Sequence, residues 1–144
     1  MRRNKSRKQR SGVILIVVLA MLTLLALVGL TFVLVADTAS PALRPFREDA
    51  VALAGDTREA AAVARNDLLD SFSGEADFSA SRAALADLAR RTEEFKARVR
   101  AASDGSDHPA TRRQLKKLCG TLEELVETFD LLDRLIQMIE PSRE

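Results

Sequence analysis

The sequence predicts an all-α protein in which one N-terminal transmembrane helix is followed by a helical hairpin or three-helix, coiled-coil-like bundle. Residues 13–36 are 24 consecutive positions without a charge. Beyond them apolar residues recur at alternating steps of three and four, the period of a helix face rather than a strand. Ahead of them stands a short, wholly basic head.

The apolar stretch runs from Val13 to Ala36, and its only polar side chains are Thr23 and Thr31. At 1.5 Å per residue it makes a helix of about 36 Å, long enough for a hydrocarbon core of about 30 Å. The two threonine hydroxyls can return to carbonyls of the preceding turn, so neither is left unsatisfied in lipid. A cleavable secretory signal has an apolar core of about 7–15 residues ending at a small-x-small site. This run is longer, and Ala36-Asp37-Thr38-Ala39-Ser40 matches such a site poorly, so the segment reads as a retained anchor.

The net charge of +1 conceals an asymmetry. Residues 1–12 hold Arg2, Arg3, Lys5, Arg7, Lys8 and Arg10 with no acid, leaving 16 of the 22 basic residues against all 21 acids in the tail, a balance of −5. Basic residues flanking a span stay on the cytoplasmic side. The expectation is a single-pass protein of the cell (inner, cytoplasmic) membrane, with residues 1–12 cytoplasmic and the C-terminal part extracytoplasmic. The bilayer is the first partner, its anionic headgroups attracting each basic residue by about 1 kcal/mol. The chain has no Trp or Tyr, and no aromatic residue interleaves the basic run, so no nucleic-acid partner is expected.

At the junction Arg10-Ser11-Gly12-Val13 a basic leader ends in a glycine and an unbroken apolar helix begins. Together with GVILIVVLAMLTLLALVGLTFVLVA, this resembles the N-termini of type IV pilin-like precursors, in particular minor pilins and tip-type pseudopilins. The resemblance covers about the first 40 residues. It implies a prepilin peptidase as a partner, cleavage after Gly12, and Val13 as the methylated first residue of the mature chain. It also implies an apolar helix that waits in the membrane and then packs into a filament core. The fifth mature position is Val17, where major subunits carry glutamate and some minor subunits do not. An ordinary uncleaved signal-anchor has the same basic-Gly-apolar order.

Residues 37–45, with Pro41 and Pro45, read as a connector. The extracytoplasmic helical domain is expected over 46–144, with helices near 46–72, 80–103 and 109–140. In the first, Phe46, Ala50, Leu53, Thr57, Ala60, Ala64 and Leu68 share a face, with a weak point at Gly55. A polar break around Ser73 and Gly74 precedes the second, which Ser79 or Ser81 can cap. Its seam is Leu85, Leu88, Thr92, Phe95, Val99 and Ala102, and pairs such as Asp87–Arg91, Arg90–Glu94 and Glu94–Arg98 line its wet side. Gly105 suits a helix end and Pro109 a helix start.

The last helix carries eight large apolar residues at successive heptad positions: Leu115, Leu118, Leu122, Leu125, Phe129, Leu132, Ile136 and Ile139. These form the expected helix-packing interface, with Pro141 closing the helix. Val126, Leu131, Leu135 and Met138 widen the stripe beyond what one partner helix hides, which calls for helix 46–72 or another subunit. Protein partners or self-association through helices are therefore expected.

No enzyme pattern emerges: there is no Gly-rich phosphate loop, HExxH, paired cysteine motif or recognisable catalytic triad. One Cys and one His make no zinc site, so no metal or cofactor is expected. Cys119 reads as a small packing residue and His108 as a loop or capping residue. The expected function is non-enzymatic: a pilin-like structural or assembly subunit of a pilus or secretion apparatus. An uncleaved, membrane-anchored helical interaction module is the alternative.

Overall fold

The computed structural model describes residues 2–73 and 77–140, with side chains from Gly12 onward. The chain is all-α, and one long apolar helix stands ahead of three shorter ones. Helix α1 spans Arg2–Asp37, α2 Arg44–Asp70, α3 Ser79–Asp104 and α4 Pro109–Ile139. They pack in up-down-up-down order, each against its neighbours in sequence, with α1 closing the ring on α4. The ring adds a fourth member to the three-helix arrangement: α1 lies in the groove between α2 and α4. Its far end is fixed by the Ser40 hydroxyl, 3.0 Å from Oε1 of Gln114, and by Asp37 Oδ1, 3.7 Å from Lys117 Nζ.

The core follows the heptads. On α4, Leu115, Leu118, Leu122, Leu125, Phe129, Leu132 and Ile136 are all at most 3% exposed, and Ile139 is half-buried. Against them α3 sets Leu85, Leu88, Thr92, Phe95 and Val99. Ser103 rather than Ala102 is the buried residue at the end of that seam. The α2 face is small, with Ala50, Ala60 and Ala64 interspersed with Leu53 and Leu68. Each fully buried leucine or phenylalanine contributes about 1.5–3 kcal/mol, so α4 supplies the largest share. Thr57 and Thr92 sit in this core with their hydroxyls donating to Leu53 O and Leu88 O, both at 2.7 Å, so neither needs a partner across the bundle.

Interhelical ion pairs sit on the rim. Arg82 reaches Asp133 and Glu140 on α4 at 3.3 and 3.4 Å, Arg91 bonds Asp56, and Arg98 meets Asp49 at 2.9 Å. All are partly exposed, so each contributes at most about 1 kcal/mol. Of the expected pairs within α3, Asp87–Arg91 and Arg90–Glu94 form. Arg98 turns instead to Asp49, the carboxylate that neighbouring α2 brings to it, and lies over the ring of Phe95 one turn earlier on its own helix.

Several local expectations are revised. The connector is shorter: a turn leads into a 3-10 turn at Pro41–Leu43, and α2 begins at Arg44 with Pro45 in its first turn. Neither Ser79 nor Ser81 caps α3. Phe78 holds the cap position, Asp77 Oδ1 accepts the Ser79 N–H at 3.0 Å, and Ser81 is buried with its hydroxyl donating to Asp67. Gly105 ends α3 with φ −86°, an ordinary right-handed value. Pro141 and Gly74 lie outside the described residues.

Gly55 does not interrupt α2, which is continuous from Arg44 to Asp70. A Cβ there would meet nothing within 4 Å. Gly55→Ala is therefore expected to stabilise the protein by about 0.5–1 kcal/mol, read as a rise of a few degrees in the thermal midpoint. A lowered midpoint would mean that α2 needs a break at this position.

Candidate functional site

The surface that sets this protein apart is α1, which is apolar on every side. One face is taken by the bundle. Val17, Ala20, Leu24, Leu27, Thr31, Leu34 and Thr38 fall at alternating steps of three and four, and none is more than 6% exposed. The other face is open to solvent and lined by large apolar residues, among them Leu15, Leu22, Leu25 and Phe32 at 60%, 56%, 69% and 74% exposure. A stripe of that length is far larger than the scattered apolar residues of an ordinary soluble surface.

From Gly12 to Asp37 this helix is long and apolar enough to cross a membrane, and most of it is not buried against the bundle. Thr23 donates to Leu19 O and Thr31 to Val28 O, both at 2.8 Å, so neither hydroxyl of the apolar run is left unmet in either environment.

Docking and spanning cannot occur together over this length. A cleft of about 350 Å³ between α1 and α2 is lined by Met21, Leu24, Leu25 and Val28 on one side and by Arg58 and Arg65 on the other. A spanning α1 would carry those two guanidinium groups to the middle of the bilayer, at about 2.5–3.5 kcal/mol each. A helix that crosses the bilayer has therefore left the groove. Leaving it uncovers the α2 surface around Ala61 and Ala62 and the side of α4 that α1 otherwise contacts.

Gly12 and Val13, where the pilin-like resemblance places a processing junction, are both exposed and lie within the helical run of α1. Open space surrounds Gly12, and a glycine there lowers the local cost of unwinding the helix. The eight α4 interface positions converge on one line, and α3 and α1 are the helices that cover it. Of the two covers expected for the wider part of the stripe, helix 46–72 or another subunit, the first (α2) sits diagonally across the bundle from α4.

The inward stripe of α1 went unread in the sequence. Uniform apolarity gives a helix no amphipathic contrast by which to tell its faces apart. The one available signal was Ala20, Thr31 and Thr38 at heptad spacing, small or hydroxylated residues suited to close contact.

The remaining polar candidates do not assemble into a reactive centre. His108 is exposed at the N-cap of α4 without a side-chain capping bond. Cys119 is half-buried beside Lys96 O, and burial pushes its thiol pKa up, away from the reactive thiolate. Among the described residues no three His, Cys, Asp or Glu side chains gather as a metal site. No family model, curated protein or solved structure matches the chain.

Proposed function

We propose that this chain is a non-enzymatic, single-pass membrane protein: a pilin-like structural or assembly subunit of a pilus or secretion apparatus. In this reading α1 anchors it in the cell membrane with its N-terminus cytoplasmic, and α2–α4 lie outside. One observation carries the reading. From Val13 to Ala36 α1 is apolar on both faces, while the outward faces of α2, α3 and α4 carry charges with only scattered apolar residues such as Val51 and Met138. A subunit that passes from lipid into a protein assembly needs a helix stable in both, and α1 combines a face matched to heptad helices with a face matched to hydrocarbon. The docked bundle is then the form without a bilayer, and insertion trades the groove for lipid.

The intact mass of the membrane-extracted protein from a host with a prepilin peptidase tests the pilin-like part. The expected product begins at Val13, carries an added N-terminal methyl group and lacks residues 1–12. An intact leader would favour the second reading, an uncleaved anchored helical interaction module. Two observations support that alternative: the described residues contain no strand, and the α2–α4 groove is left open once α1 is in the membrane.

A further inference from the structure

Helix α4 has an outward face that its own bundle does not explain. The positions farthest from the core are Arg113, Lys116 and Lys117, then Gly120, then Glu123, Glu124 and Glu127, and all seven are exposed. Cations fill the N-terminal third and carboxylates the middle, with no acid in the first turn. That order opposes the helix dipole, which favours acids at the N-terminus. The blocks are also too long for the usual i,i+4 pairing, and among the described residues only Lys117 of these six charges has an ion-pair partner, Asp37 at 3.7 Å. Between the blocks stands Gly120, in a helix interior where it costs about 1 kcal/mol relative to alanine. Nothing lies within 4 Å of the Cβ that it lacks.

All three features make sense against one occupant. We propose that the outer face of α4 is a self-association surface that takes the same face of a second copy of this chain, antiparallel, with the two-fold axis at Gly120. The pattern is self-complementary about that residue. Arg113 and Glu127 lie seven positions to either side of it, Lys116 and Glu123 four and three, and Lys117 and Glu124 three and four. Reversing the direction of a second helix sets each cation opposite a carboxylate, and the two-fold axis makes every pair occur twice. The flanking positions match as well, because in antiparallel helices each flank meets its own counterpart: Lys116 and Glu123 share one flank, Lys117 and Glu124 the other. The missing side chain at Gly120 lets the two backbones approach where they cross, and the partner's carboxylates supply the negative charge that the N-terminal half of α4 lacks. Two chains anchored in one bilayer satisfy this geometry when the axis runs along the membrane normal. One member of the surface, Lys117, borders α1 through Asp37, so in the dimer its pairing with the partner's carboxylate competes with that contact.

The test is sedimentation equilibrium of the full chain in detergent micelles at about 0.05 M and about 0.5 M salt, between which the screening length falls to less than half. The expected result is a dimer that weakens at least tenfold at the higher salt. Arg113→Glu with Lys116→Glu should weaken it to a similar degree, and adding Glu123→Lys with Glu127→Lys should restore it, because the exchanged blocks are again self-complementary. Restoration separates a charge interface from damage to α4. Gly120→Cys in a Cys119→Ala background should form an intermolecular disulfide on oxidation, whereas Arg100→Cys on α3 should not. A monomer at both salts overturns the proposal. So does a dimer indifferent to salt and to charge reversal, which would instead be held by the apolar face of α1. A dimer whose Gly120→Cys variant fails to crosslink overturns the antiparallel register.

Discussion

Leu27→Ala should destabilise the lipid-free bundle by about 2–5 kcal/mol, whereas Leu25→Ala, two positions earlier, should change it by less than about 0.5 kcal/mol. Leu27 is 1% exposed on the docked face of α1, and Leu25 is 69% exposed on the open face. Removing the first leaves a cavity between α1, α2 and α4; removing the second takes a side chain from solvent. Denaturant titration of the full chain at sub-micellar detergent reads the difference. In bilayers the proposed insertion of α1 predicts that the contrast vanishes, because lipid would surround both positions alike. Equal effects without lipid would show that α1 does not belong to the bundle. A contrast that persists undiminished in bilayers would show that it never leaves.

The second large effect is on membrane retention. Leu22→Arg with Leu25→Arg places two cations near the middle of the span at about 2.5–3.5 kcal/mol each. Both positions are more than half exposed in the docked form, so the bundle itself should survive. The expected outcome is a protein released from membranes by alkaline washing yet still helical and cooperatively folded. Leu24→Arg with Leu27→Arg, on the buried face, should lose both the membrane and the fold. If the Leu22/Leu25 variant stays with the membranes as firmly as the parent, the anchor assigned to α1 is wrong.

Much of this architecture was legible from residue spacing. The α4 line from Leu115 to Ile136, the α3 seam with Thr92 as its polar member, and the α2 face from Ala50 to Leu68 all follow from steps of three and four, and all are buried. Self-satisfied hydroxyls at Thr23 and Thr31 followed from the reach of a threonine side chain, which is local. Details that required a neighbour were not legible. Arg98 pairing with Asp49 rather than Glu94, Ser81 bonding Asp67 instead of capping α3, and α1 rather than α2 covering α4 all depend on which helix stands next to which.

Period and composition alone determined that this chain is helical, that residues 13–36 suit a bilayer, and that charge is divided between a basic head and an acidic tail. Each of those properties is set by a residue and its near neighbours in sequence. Tertiary structure decided that the apolar helix also has a home in the protein, in the groove between α2 and α4. A helix greasy on all sides carries no mark of which side meets protein, so only the complementary surfaces of its neighbours α2 and α4 could select the face that docks.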